Sequence, residues 1–191
     1  MPASATVHAR FAHTAARTPG ADFLYTESVT AQTYGIAAGA IAWASAAAAI
    51  EGLRQAYAAA GYGHGHRVGL LLENRPAFLF HWFALNALGA SVVPINAEMR
   101  SAELSYLIGH SEIVLAVSLS DRVALLRAAA QEAGSAMAVV DVAALDGGQP
   151  LPAAVSAAPR ASEAPGLRSE CALLYTSGTT GRPKGCRLSN E

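Results

Sequence analysis

Most of the features that would classify a chain at once are scarce in this sequence. It has only two cysteines in 191 residues, Cys171 and Cys186. That is too few for a disulfide scaffold, so both are read as reduced thiols lying in strands. Charged residues make up 14%, with 13 basic against 14 acidic and no block of either sign. Composition therefore argues against a nucleic acid or an anionic membrane surface as partner. The N-terminus, with Pro2, His8 and Arg10, lacks the apolar core of a signal peptide, and a cytoplasmic location is the expectation. Residues 28–50 carry no charge, which is long enough for a spanning helix. Alanine dominates that stretch, and Thr30, Gln32, Thr33, Gly35, Gly39 and Ser45 dilute it, so no transmembrane segment is expected.

What the chain does have is small apolar residues. Hydrophobic positions reach 52%, many of them alanine, with 7% aromatic. This favours helices packed closely on a sheet. Helical spacing at 8–18 puts Phe11 and Ala15 on one side, and Pro19-Gly20 stops it. Residues 23–26 and 31–34 read as two short strands around a turn near Ser28-Val29. A long helix is expected over 35–60, with Ile36, Trp43, Ile50 and Tyr57 seven apart, and Gly61 as its stop.

Strands follow at 67–72, 91–96, 113–117 and 136–140, separated by helices. Asn74 is read as the cap of one helix, with Pro76 in its first turn, and Ser101 as the cap of the next. Asp121 opens a third. Alternation of this kind implies an α/β fold, a mostly parallel sheet flanked by helices. His64-x-His66 has the spacing of a ligand pair, but no third ligand is near, and a metal is not expected there. Residues 147–168 turn to Pro, Ala, Ser and Gly and read as an extended, mobile loop. The organisation is thus an α/β body over 1–146, that loop, and a strand–loop–strand unit over 169–191.

The unit at the end carries the chemistry. It reads Tyr175-Thr176-Ser177-Gly178-Thr179-Thr180-Gly181-Arg182-Pro183-Lys184-Gly185. Glycines let backbone N–H groups turn into one concavity that suits an anion. Hydroxyls donate to phosphate oxygens, and a lysine adds a mobile charge. A Walker loop needs Gly before its Lys and Ser or Thr after it, whereas here Pro183 precedes and Gly185 follows. Proline has no N–H to give, so the cradle must differ and the loop should join two antiparallel strands. A Gly/Ser linker is the plain alternative, and it leaves Arg182-Pro183-Lys184 unexplained.

These eleven residues resemble the first phosphate-loop motif of the adenylate-forming enzymes, which include acyl-CoA synthetases, peptide-synthetase adenylation domains and firefly-type luciferases. Weaker matches run through the chain: Thr33-Tyr34, Arg67-Val68, Asn74-x-Pro76, Gly89-Ala90 to Pro94-x-Asn96, and Glu103-Leu104 with Tyr106. One departure is His66, where an Asp is usual. The resemblance implies the front portion of a large N-terminal domain. It also implies ATP-dependent activation of a carboxylic acid to an acyl-adenylate, then transfer to a thiol, commonly coenzyme A.

In that reading Thr176, Ser177, Gly178, Thr179, Thr180, Gly181 and Lys184 hold the ATP phosphates, and Lys184 also neutralises the leaving pyrophosphate. Arg182 is an assistant or merely solvated, and Tyr175 is strand packing. The Mg²⁺, adenine, ribose and acyl-binding residues would lie beyond Glu191, so neither the acid nor the acceptor thiol is named by this stretch. The alternatives are a non-catalytic binding module of the same descent and an ATP hydrolase with a variant loop.

Overall fold

The computed structural model describes residues 6–176 and 183–191. Its centre is a six-stranded sheet, formed by β3 (Arg67–Leu71), β4 (Ser91–Pro94), β5 (Leu115–Ser118), β6 (Ala138–Asp141), β7 (Glu170–Thr176) and β8 (Lys184–Ser189), which also have a two-stranded companion, β1 (Asp22–Thr26) with β2 (Gly39–Ala42). The large sheet has the order β6-β5-β3-β4-β7-β8, and every pair is parallel except β7 with β8.

Alternation along each strand feeds two cores. Val68, Leu70, Val92, Leu115 and Val117 pack against α1 (Val7–Arg17), α3 (Trp43–Ala59) and α4 (Pro76–Ala87). Leu71, Val93, Ala116 and Leu173 pack against α5 (Ser101–Ser111) and α6 (Val123–Glu132). Strands covered on both faces read as continuous apolar runs, which is why 67–72 and 113–117 were legible. Gly69 allows the tightest fit: a Cβ there would stand 2.9 Å from Ile95 Cδ1 and 3.2 Å from Ile113 Cδ1. No helix among the described residues is long and apolar enough to cross a membrane.

Several expectations need correction. Residues 31–34 are not a strand; together with the expected turn at Ser28-Val29 they form a helix, α2 (Ser28–Tyr34), closed by Gly35 in the left-handed region at φ 63°. The strand that pairs with β1 lies later, with Thr26 opposite Gly39 and Leu24 opposite Ile41. The long helix therefore starts at Trp43, not near Gly35, and Ile36 falls outside it; Ile50 and Tyr57 keep their buried places. Asn74 does not cap α4, since the cap position is Arg75, without a side-chain bond. Ser101 is the first helical residue of α5, and the Glu103 carboxylate accepts the Arg100 N–H at 2.9 Å. Asp121 sits in a short 3-10 turn before α6.

The Pro/Ala-rich segment follows the short α7 (Val142–Asp146) and has no regular structure, but it is docked and not free. Ala154 N–H bonds to Ala60 C=O at 2.8 Å, and Arg160 N–H to His64 C=O at 3.0 Å. The two ring nitrogens of His64 engage the Glu163 carbonyl and the Ser169 hydroxyl, each at 3.0 Å. His66 accepts the Gly63 N–H through Nδ1 at 3.3 Å, the turn-closing role that an Asp carboxylate would fill. Among the described residues no three His, Cys, Asp or Glu side chains converge as a metal site.

One buried polar contact joins Tyr57 and His81, both fully buried, with Oη and Nδ1 2.7 Å apart. Burial pushes the His81 imidazole down to about 4. The unfolded chain, with His near 6.5, binds the extra proton first, so stability is complete above about pH 6.5 and declines as pH falls toward 4. Urea titrations should find the fold about 2 kcal/mol less stable at pH 5 than at pH 7 from this group. His81→Phe should be less stable at pH 7 yet lose that part of the slope. An unchanged slope in the variant would assign it elsewhere.

Candidate functional site

The glycine-rich run joins β7 to β8, an antiparallel pair, as its flanking apolar residues and Pro183 require. The register places Thr176 opposite Lys184, Tyr175 opposite Gly185 and Leu174 opposite Cys186. Lys184 thus opens a strand, which excludes the Walker arrangement in which the lysine starts a helix. Of the seven residues assigned to phosphate, the structure describes Thr176 and Lys184, both exposed and paired at the end of the hairpin. Ser177, Gly178, Thr179, Thr180 and Gly181, with Arg182, lie outside the described residues.

Side chains around the hairpin end explain its composition. The Tyr175 ring lies over Gly185, where a Cβ would meet Cζ of that ring at 3.4 Å and Leu173 Cδ1 at 3.1 Å. Burial raises the Tyr175 phenol, whose Oη lies 2.6 Å from His110 Nδ1 in a hydrogen bond. The Tyr106 hydroxyl donates to the Pro183 carbonyl at 3.3 Å. Tyr175 packs on Gly185 and also lines a cleft, with a polar anchor that the sequence did not show. Cys171 and Cys186 are both free, and the register sets them apart: Cys186 faces Leu174, and the Cys171 thiol bonds to the Ser189 carbonyl at 3.1 Å.

Thr176 also stands at the rim of an open cleft of about 1040 Å³. Its floor is Leu70, Pro94 and Leu174, the carboxyl ends of β3, β4 and β7. The cleft exists because of topology. The chain leaving β3 enters α4 on one face of the sheet, while the chain leaving its neighbour β4 enters α5 on the other. Outgoing loops that part in this way leave a crevice at the strand ends, the usual ligand position in open α/β sheets. Glu73, Asn74 and Phe78 form one wall, and Asn96, Glu98 and Met99 another. Sequence reading missed Asn74 and Asn96 as cleft residues. The available signal was their position just past two apolar strands. Asn96 Oδ1 accepts the Glu98 N–H at 3.0 Å, which shapes the second loop.

At the amino ends of the strands, opposite the cleft, Arg67 makes a two-pronged contact with Glu170 at 2.7 and 3.1 Å, and Arg187 Nε meets the same carboxylate at 2.6 Å. Burial alone would raise Glu170, but the hydrogen bond from Arg67 leads the contacts that hold it below the ordinary carboxylate range. This network fixes the base of the hairpin. The Asn190 amide adds to it, bonding to Val7, Asn86, Gly166 and Ser169.

Comparison with known proteins agrees with this arrangement. The family model described as AMP-binding enzyme matches residues 11–191. A sulfoacetate–CoA ligase of Cupriavidus necator is 38% identical over 144 residues, covering 73% of this chain and 27% of the relative. A crotonobetaine/carnitine–CoA ligase of Salmonella paratyphi A is 32% identical over 138 residues, covering 68% and 27%. The chain thus spans about a quarter of the length of the curated relatives it matches. Among solved structures, a Mycobacterium tuberculosis fatty acyl CoA synthetase superposes with a TM-score of 0.76 at 23% identity, covering 97% of this chain and 35% of that one; at that identity the likeness is one of fold.

Proposed function

The chain belongs to the AMP-binding enzyme family, and on that footing we propose that it supplies the ATP phosphate clamp of an acid–CoA ligase. The carboxylate of the acid attacks the α-phosphorus of ATP, the bond to the β-phosphate oxygen breaks, and an acyl-adenylate and pyrophosphate result. The thiol of coenzyme A then takes the acyl group and AMP leaves. Thr176, Ser177, Thr179 and Thr180 donate to the β- and γ-phosphates, with backbone N–H groups at Gly178 and Gly181. Lys184 neutralises charge that builds on the pyrophosphate as it departs, a role of position and electrostatics with no proton transfer.

The observation that carries this reading is the register that pairs Lys184 with Thr176, a residue that lines the cleft. A hydroxyl and an ammonium held side by side on one hairpin fit a phosphate chain. The Mg²⁺ that accompanies ATP is assigned, on the family resemblance, to ligands outside this stretch. Relatives named for sulfoacetate and for crotonobetaine or carnitine point to a carboxylic acid as substrate, and we leave its side chain open.

The test is ATP–pyrophosphate exchange by the full-length enzyme carrying this sequence, against sulfoacetate, crotonobetaine and a series of fatty acids. Exchange should appear with some acids and vanish without acid. Phosphate release that is indifferent to acid, with no exchange, would instead make the loop that of a hydrolase.

A further inference from the structure

The far end of the hairpin runs past the end of β4, which stops at Pro94. Its register with β4 is at Val92 and Ala172, four residues before Thr176, and β8 is the outer strand. What reaches the end instead is α5. Tyr106 and His110 lie one turn apart on that helix, with rings stacked at 5.4 Å between centroids and 27° between planes. Tyr106 holds Pro183 and His110 holds Tyr175. Those two residues stand immediately before Lys184 and Thr176, the paired feet of the loop.

We infer that Tyr106 and His110 are positioning residues for the reaction, tying both feet of the phosphate loop to α5 so that Lys184 meets the leaving pyrophosphate at a set distance. The inference rests on the phosphate-clamp reading above. A hairpin end held only by its own cross-strand bonds would swing about the β4 contact, and errors near 1 Å at a charged group can cost about 10²-fold in rate. Two tethers on opposite arms also oppose twisting, which one tether would not. Gly185 belongs to the same device, because it makes room for the Tyr175 ring that His110 engages.

The experiment measures acid-dependent ATP–pyrophosphate exchange in the full-length enzyme for Tyr106→Phe, His110→Ala, His110→Asn and Lys184→Ala, with the unfolding midpoint of each. Tyr106→Phe and His110→Ala should each lower kcat about five- to tenfold, the share of one net hydrogen bond, with ATP KM within about twofold. Unfolding midpoints should stay near wild type. His110→Asn, whose amide oxygen can occupy the place of Nδ1, should recover most of the rate. Wild-type kcat in both Tyr106→Phe and His110→Ala, or His110→Asn as slow as His110→Ala, overturns the tether. Lys184→Ala separates the two levels: with both rate and ATP KM at wild type it brings down the phosphate-clamp reading itself, whereas a slow Lys184→Ala beside unchanged Tyr106→Phe and His110→Ala removes only the tether.

Discussion

Replacing Lys184 with alanine in the full-length enzyme should slow ATP–pyrophosphate exchange about 10²- to 10³-fold while moving the KM for ATP little. The expectation follows from where charge develops. Pyrophosphate gains negative charge only as the bond to the α-phosphorus breaks, so an ammonium beside it interacts more strongly with the transition state than with bound ATP. Loss of one such preorganised group typically costs about 2.7–4 kcal/mol in the barrier. Preorganisation here is structural: Lys184 opens β8 directly opposite Thr176, behind a proline whose φ is fixed. Lys184→Arg should recover part of the rate, since charge is kept but a planar fork replaces a point charge. Unchanged turnover with a raised KM would confine the lysine to ground-state binding.

The second large effect concerns the base of the same hairpin. Glu170→Ala should destabilise the fold by about 2 kcal/mol, because it takes the two-pronged partner from a partly buried Arg67. Arg67 sits on β3 and Glu170 on β7, with β4 between them, so the guanidinium reaches past the small Ser91 to close the contact at 2.7 Å. After the substitution Arg67 would keep only the Ser111 carbonyl at 3.1 Å and the exposed Glu112 at 3.3 Å. Arg187→Ala removes the other partner of the same carboxylate, yet Arg187 is 68% exposed, and its loss should cost less than about 1 kcal/mol. Urea denaturation of the three proteins decides the matter. Equal losses in Glu170→Ala and Arg187→Ala would show that burial of Arg67 is not what gives the contact its weight.

The sequence announced the parts of this molecule whose chemistry is local. Pro183 and the apolar residues around the glycine-rich run were enough to place that run between strands and not before a helix. Apolar runs covered on both faces gave the parallel strands within a residue or two. Where pairing partners are distant, the reading failed. Residues 31–34 looked like the return strand of β1, but the return is made by 39–42 after a helix closed at Gly35. The Pro/Ala-rich segment looked mobile because its anchors are backbone bonds to Ala60 and His64, about a hundred residues upstream. The hydroxyl of Tyr175 finds His110 sixty-five residues away, and no period or motif signals that meeting. Asn74 was read as a cap from its type alone, whereas the turn leaves it facing the cleft.

The most direct measurement of the central claim uses Lys184→Ala in the two half-reactions separately. Supplied with ATP and acid in a single turnover, the variant should form acyl-adenylate about 10²- to 10³-fold more slowly than wild type. Supplied with the acyl-adenylate already made, it should pass the acyl group to coenzyme A at close to the wild-type rate, because no pyrophosphate leaves in that step. Equal slowing of both half-reactions, or of the second alone, would contradict a clamp that acts on the departing pyrophosphate.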